Sequence, residues 1–187
     1  ELGELHPADF VPLAEKTDLI VPIGNWVLET ACRQAAAWRD AGMPLRVAVN
    51  LSARQFRDTG LAEHIRATLE RHRLDPRLIE IEITETAAML DPGRTAQLLT
   101  GLRGLGVAIA LDDFGSGHAS LAYLRELPFT RLKIDSAFVQ PIARPGSEAR
   151  LIQAMLVLAS TLGLGVVAEG VETQEQLDIL RLHGCEL

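Results

Sequence analysis

The chain has 187 residues, of which 48% are apolar and 23% are charged. This composition is typical of a folded protein of about one domain, and it excludes an intrinsically disordered chain. The formal net charge of −7 argues against non-specific binding to nucleic acid, so we expect no DNA partner. Two widely spaced cysteines, Cys32 and Cys185, fit neither a disulfide framework nor a zinc site. They favour a reducing location such as the cytoplasm.

Five short apolar or β-branched runs predict strands, and segments with helical spacing separate them. The predicted strands are 46–50, 78–84, 106–112, 131–135 and 164–169. Asp91 followed by Pro92 predicts the start of one helix, and Gly104 predicts its end. Thr173 with Gln176 predicts a capping box at the start of another helix.

The longest uncharged stretch, 151–168, contains several polar residues and two glycines. It is a poor membrane span, because a spanning helix needs a longer and more uniformly apolar run. We therefore expect no membrane segment in this chain, although a parent protein could be membrane-anchored.

The strict alternation of strands and helices indicates a parallel sheet with helices outside it. An open doubly wound sheet and a closed (β/α)8 barrel both fit this pattern. No glycine fingerprint follows the first strand, which favours the barrel. Eight βα units usually need about 250 residues, so the barrel is expected to be incomplete in this chain, with about five clear strands.

Each predicted strand ends in side chains that carry carboxylate, amide or amine groups. They are Asn50, Glu82, Glu85, Asp112, Asp113, Lys133, Asp135, Glu169 and Glu172. In a parallel barrel these strand ends converge on one face, where active sites form. Crowded carboxylates need protons or cations to coexist, and oxygen ligands suit Mg²⁺ or Mn²⁺ better than zinc. The histidines show no metal-binding spacing.

On position and chemistry alone, a two-metal phosphate-ester hydrolase is a reasonable interpretation. Sugar-processing and enolase-like barrels remain open alternatives. Simpler structural roles also exist for single residues, since Asn50 could cap a turn and Lys133 could extend to the surface. Glu80 is expected to belong to a deeper ion pair, and Arg131 is expected to be solvated.

Five segments closely resemble motifs of the EAL domain family, as does the opening stretch 6–28, and the match spans essentially all 187 residues. They are VNLSARQF at 49–56, IEITET at 81–86, LDDFGSGHASL at 111–121, LKIDSAFV at 132–139 and AEGVET at 168–173. The resemblance implies a TIM-like (β/α)8 barrel of the EAL type. It also implies metal-dependent hydrolysis of cyclic di-GMP to linear pGpG, with Mg²⁺ or Mn²⁺ in a two-metal site. The alternative is a catalytically inactive receptor for cyclic di-GMP.

The resemblance also implies a role for each residue that matches a family motif. The implied metal ligands are Asn50, Glu82, Asp112 and Asp113. The implied catalytic residues are Glu169, as general base, and Lys133, beside the attacking water. The implied supporting residues are Glu85 and Glu172. From the residues themselves, Asp135 is expected to be a further supporting residue, as a structural or second-metal neighbour, and Phe114 with Gly115 and Gly117 predicts a loop that closes on ligand.

The resemblance further implies a single EAL domain over residues 1–187. Relative to the family, we expect it to lack the Glu-Ala-Leu strand at its start and the last strand or strands at its end. The expected partners are cyclic di-GMP, a second copy in a homodimer, and flanking GGDEF, PAS or receiver domains in a parent protein.

Overall fold

The computed structural model describes residues 3, 5–115, 121–143 and 149–185. Its strands are β1 (Val47–Asn50), β2 (Ile79–Thr84), β3 (Ala108–Phe114), β4 (Arg131–Ile134) and β5 (Gly165–Ala168). All neighbouring strands pair in parallel, and their order in the sheet is their order in the chain. This sequential order is that of a barrel wall, whereas a doubly wound sheet reverses its order at a switch point.

Helices connect the strands, as the alternation predicts. They are α1 (Pro7–Lys16), α2 (Ile20–Asp40), α3 (Leu61–Arg71), α4 (Glu85–Met89), α5 (Pro92–Leu105), α6 (Leu121–Glu126), α7 (Ser136–Val139), α8 (Ala149–Leu162) and α9 (Gln174–Leu182). Two short 3₁₀ turns occupy Gln55–Arg57 and Pro76–Leu78. No helix in the described parts of the chain is long and apolar enough to cross a membrane.

Side chains alternate between the two faces of the sheet, and the two faces differ sharply in polarity. The outer face is apolar, and its centre is fully buried; the buried residues include Ile79, Ile81, Ile83, Ile109, Leu111, Leu132 and Ile134. The inner face carries the charged residues Glu80, Glu82, Asp112 and Lys133, all of them buried. Burial of the outer face supplies the main stabilisation of the fold, and the inner face is left for polar chemistry.

The predicted helix starts are confirmed, and one predicted helix end is wrong. Asp91 accepts a hydrogen bond from the Arg94 amide at the start of α5, and Thr173 forms the capping box of α9. Gly104 lies inside α5, which ends instead at Gly106 with φ 95°. Only Gly106 adopts the left-handed conformation that closes the last turn of this helix.

Candidate active site

The carboxyl ends of β1 and β2 place Asn50 beside Glu82. The two residues are partners in the parallel pairing of these strands. The Asn50 Nδ2 amide donates a hydrogen bond of 3.1 Å to Glu82 Oε2. Because this bond uses the amide nitrogen, the carbonyl oxygen of Asn50 is the atom suited to bind a cation.

Lys133 lies at the centre of a carboxylate cluster built from three other strands. Its Nζ atom is 2.7 Å from Glu82 Oε1, 2.9 Å from Asp112 Oδ1 and 2.7 Å from Glu169 Oε1. The Lys133 residue is only 8% exposed, so this is an internal ion-pair network and not a surface lysine. We call Asn50, Glu82, Asp112, Lys133 and Glu169 the Lys133 cluster.

Small residues on β3 allow the Lys133 cluster to form. Glu82 on β2 is paired with Ala110 on β3, and Ala110 is paired in turn with Arg131 on β4, two residues before Lys133. Because Ala110 has only a methyl side chain, it leaves room for the Lys133 ammonium to reach the Glu82 carboxylate. A larger side chain at this position would keep the two charges apart.

The buried charges shift one another's ionisation. Burial lowers the pKa of Lys133, but hydrogen bonds to Glu169, Glu82 and Asp112 outweigh it and hold this pKa above its usual range. Burial raises the pKa of Glu82, and the attraction of Lys133 offsets this only in part. Lys133 is therefore charged at neutral pH, and one positive charge is shared by three carboxylates.

A local irregularity in β3 adds a further carboxylate, that of Asp113, to the cluster. The pairing with β4 shifts between Leu111 and Phe114, and Asp113 adopts φ 54°. In a regular strand Asp112 and Asp113 would face opposite sides, but the left-handed residue turns Asp113 toward the same site. Burial raises the pKa of Asp113, as do the negative charges of Asp112, Asp135 and Glu169.

Three of these carboxylates fit a divalent cation. Asp112, Asp113 and Glu169 each offer one oxygen, and these oxygens all lie within 4.8 Å of one another. Carboxylate and amide oxygens are the donors that Mg²⁺ and Mn²⁺ prefer. The acids outnumber the ammonium of Lys133 beside them, an imbalance that a bound cation would offset.

The end of β3 is held from the side by Glu85, as its predicted supporting role requires. Glu85 is 2% exposed, and its Oε2 accepts a hydrogen bond of 3.2 Å from the Gly115 amide. Phe114 was expected in a loop, but it is the buried last residue of β3, because the strand continues past the bulge. The predicted loop residue Gly117 lies outside the described residues.

The other two predicted supporting residues occupy different places. Asp135 caps α7 through a 2.6 Å hydrogen bond from the Ala137 amide, and its carboxyl group contributes to the raised pKa of Asp113. Glu172 has an exposed side chain on the segment between β5 and α9. The structure thus brings Asp135 to the edge of the cluster, while Glu172 points to solvent.

A second charged layer lies one inner-face position below the Lys133 cluster. Glu80 is 5% exposed, and its Oε2 is 3.2 Å from Arg131 Nη1 and 3.5 Å from Arg46 Nη1. The prediction that Glu80 belongs to a deeper ion pair is confirmed, while Arg131, expected to be solvated, has a side chain that is 37% exposed and also pairs with Glu80. The signal was its spacing, since Arg131 precedes Lys133 by two residues and shares its face.

A cavity of about 810 Å³ opens next to the cluster. Its walls come from α1, α2, the end of β1 and the start of α4, and Asn50 and Thr84 form part of its lining. Most of the other lining residues are apolar, among them Phe10, Ile23 and Leu51. A cavity of this size, with a mainly apolar lining and a few polar groups, is typical of a small-molecule site.

Comparisons with known proteins agree with this architecture. The EAL domain family model matches residues 1–187. The bifunctional diguanylate cyclase/cyclic di-GMP phosphodiesterase MucR of Pseudomonas aeruginosa is 46% identical over 98% of this chain and 27% of its own length. The cyclic di-GMP phosphodiesterase PA2567 of the same organism is 40% identical over 99% of this chain and 32% of its own length.

A solved complex of the PaMucR phosphodiesterase with c-di-GMP has a TM-score of 0.94 and 45% identity, over 100% of this chain and 76% of that chain. The predicted TIM-like barrel architecture is therefore confirmed for the five strands that the structure describes. The chain spans only about a quarter to a third of the length of the two curated relatives above. The family match over the whole length, with the fold, establishes that this chain belongs to the EAL domain family.

Proposed function

We propose that this chain hydrolyses cyclic di-GMP to linear pGpG, using Mg²⁺ or Mn²⁺. The observation that carries the proposal is the convergence of Glu82, Asp112 and Glu169 on the Lys133 ammonium at one end of the sheet. The names of the two relatives, both of which include cyclic di-GMP phosphodiesterase, support the same activity and substrate.

We propose Asn50, Glu82, Asp112 and Asp113 as the residues that hold the metal. Their donors are carboxylate and amide oxygens, which match the preference of these two ions. A bound divalent cation would supply positive charge for the phosphate and lower the pKa of a water molecule. Asp135 is a supporting neighbour of this set, since its side chain lies close enough to Asp113 to raise the pKa of that carboxyl group.

Glu169 is suited to act as the general base. Its side chain is 36% exposed, while those of Glu82 and Asp112 are nearly buried. It can therefore take a proton from water as the water oxygen attacks phosphorus and the bond to one ribose 3′ oxygen breaks. The 3′ oxygen leaves with a proton from solvent, which gives the linear product.

Lys133 is suited to position the base and to balance charge. Its 2.7 Å contact with Glu169 Oε1 fixes the direction of that carboxylate before substrate enters. Its positive charge lies where negative charge on the phosphate increases in the transition state. Glu85 supports this arrangement from a distance by holding Gly115 at the end of β3.

The proposal is tested by incubating the protein with cyclic di-GMP and Mn²⁺ and following pGpG by chromatography. We expect turnover in the wild type and a loss of at least about 100-fold in Glu169→Gln, because the proton acceptor is gone. Glu175→Gln, a change on the exposed start of α9, is the matched control and should retain activity. Tight binding of cyclic di-GMP without product in the wild type would indicate a receptor instead.

We further propose that the chain acts in the cytoplasm as a homodimer, within a longer signalling protein. The bifunctional MucR, of which the match covers 27%, supports the presence of further domains such as GGDEF, PAS or receiver modules. Light scattering of the full-length protein tests the dimer directly, and a monomer at micromolar concentration would contradict it.

A further inference from the structure

The side chain of Gln55 is packed against helix α2 at a glycine. Gln55 follows β1 by five residues and is only 3% exposed. A Cβ atom built on Gly24, in the first half of α2, would lie 2.1 Å from Gln55 Nε2 and 2.7 Å from its Cδ. Glycine weakens the interior of a helix, so its presence here is explained by the close approach of Gln55.

Gln55 also closes the turn that follows Asn50. The side-chain Oε1 of Gln55 accepts a hydrogen bond of 3.1 Å from the backbone amide of Ser52. The backbone amide of Gln55 donates a hydrogen bond of 2.9 Å to the Ser52 carbonyl. Immediately before this turn, the Leu51 amide donates to the Glu82 carbonyl over 2.9 Å, which extends the pairing of β1 with β2. Asn50 is thus held by the β1–β2 hydrogen bonds on one side and by the turn from Ser52 to Gln55 on the other.

Two other contacts fasten the same turn, but both lie at the surface. Ser52 Oγ donates a 2.6 Å hydrogen bond to Glu15 Oε1, and Arg54 pairs with Asp18. Exposed polar contacts of this kind contribute little because water competes for them. The buried contact of Gln55 with Gly24 is therefore the one that fixes the turn on α2.

We propose that Gln55 is a positioning residue for Asn50, and that Gly24, which has no side chain, leaves the space that Gln55 occupies against α2. Gln55 lines the cavity beside the cluster, but it is not one of the residues proposed to hold the metal. It sets the direction of the Asn50 carboxamide by fixing the turn that begins two residues later, at Ser52. The inference rests on the proposed function, because it needs Asn50 to be a metal ligand.

The test is a double-mutant cycle in the full-length protein, read as the affinity for Mn²⁺ alone by electron paramagnetic resonance. Gln55→Ala should weaken Mn²⁺ binding by about tenfold, as the loss of a residue that orients a ligand does. Gly24→Ala should weaken it similarly, because the new methyl group displaces Gln55. The double variant should be no weaker than the weaker single variant, since both changes break one contact.

Turnover provides a second readout that a general loss of structure would not imitate. In both single variants, cyclic di-GMP hydrolysis should approach the wild-type rate when Mn²⁺ is raised to saturation. Gly101→Ala is the matched control, because this glycine also lies within a helix, and its Cβ would meet only Ala62 Cβ at 3.9 Å. Its Mn²⁺ affinity should equal that of the wild type.

This inference would be overturned if Gln55→Ala and Gly24→Ala bind Mn²⁺ as tightly as the wild type while Asn50→Ala binds it more weakly. The proposed function would be unaffected by that result. Absence of Mn²⁺ binding and turnover in the wild type would overturn both. If circular dichroism shows that Gln55→Ala is unfolded, Gln55→Met decides by the same criterion, because it keeps the length of the side chain and removes its hydrogen-bonding carboxamide.

Discussion

Lys133 determines the charge balance of the site, because a single ammonium serves three carboxylates from neighbouring strands. A divalent cation would bind some of the same carboxylates, so the lysine and the metal share ligands. The lysine therefore has two separable effects, one on metal affinity and one on turnover.

Lys133→Met should lower turnover by at least about 100-fold, because a preorganised charge at the phosphate is lost. The same variant should bind Mn²⁺ at least as tightly as the wild type, since the ammonium no longer competes for Glu82 and Asp112. Mn²⁺ titration and pGpG formation measure the two effects. Lys16→Met, at an exposed position on α1, is the control. Turnover near the wild-type level in Lys133→Met would contradict the role given to Lys133.

The ion pair between Glu80 and Arg131 in the second charged layer is expected to contribute to stability. Arg131→Met should lower the free energy of unfolding by about 1–3 kcal/mol, because Glu80 is left buried without its nearest cation. Adding Glu80→Leu should recover part of that loss, since the uncompensated charge is then removed. Urea unfolding measures both values, with exposed Arg33→Met as the control. Additive losses in the double variant would show that the two residues are not coupled.

At the scale of elements, the end of β3 is the most constrained part of the site. Gly115 adopts φ 98°, and a Cβ there would lie 2.7 Å from Met155 Cε and 2.8 Å from Phe138 Cε2. Its amide is also held by Glu85. Any residue with a side chain would meet both backbone strain and a steric clash, and it would move the strand that carries Asp112 and Asp113.

Gly115→Ala should therefore reduce both stability and turnover. Gly163→Ala is a close control, because Gly163 has φ 70° but no atom within 4 Å of its Cβ position. That control should show only backbone strain, about 1–2 kcal/mol, and normal turnover. Thermal unfolding and initial rates separate the two cases. Equal effects of the two variants on turnover would mean that the clash at Gly115 does not affect the site.

The elements themselves could largely be predicted from sequence, because β-branched runs and capping residues are local signals. All five strands formed within a few residues of their predicted bounds, and the strand-end residues Asn50, Glu82, Asp112, Lys133 and Glu169 lie together. Three features could not be predicted, because each depends on tertiary contacts. They are the left-handed Asp113, the partner of Arg131 and the helix end at Gly106 instead of Gly104.

Across the whole molecule, one face of the sheet packs into the apolar core and the other face carries the charged residues of the site. The outer face is apolar throughout, whereas the inner face stacks Glu80 and Arg131 beneath Glu82 and Lys133. The net charge of −7 is thus unevenly distributed, with buried acids concentrated where the strands end. Such a concentration destabilises the metal-free fold and favours a bound cation.

This distribution predicts how stability depends on pH. Burial raises the pKa of Glu82 and Asp113, so the folded protein keeps protons that the unfolded chain loses above about pH 4. Their contribution to the stability of the metal-free protein should therefore fall as pH rises through this range. Mn²⁺ binds the ionised carboxylates, so the rise in Tm that it causes should be small near pH 4 and grow toward about pH 7.

Differential scanning fluorimetry with EDTA or with Mn²⁺ measures this dependence. The double variant Glu82→Gln/Asp113→Asn is the matched comparison, and its Tm should respond little to Mn²⁺ at any pH. A rise in Tm that is independent of pH in the wild type would contradict the assignment of these two carboxylates to the metal site.

If water attacks a phosphodiester of cyclic di-GMP at the Lys133 cluster, the oxygen of that water must appear in the product. Incubation of the protein with cyclic di-GMP and Mn²⁺ in ¹⁸O-labelled water, followed by mass spectrometry, tests this directly. We expect pGpG with one ¹⁸O atom on its terminal phosphate, and no such product from Glu169→Gln. Recovery of cyclic di-GMP unchanged from the wild type, even though it binds, would contradict the proposed hydrolysis.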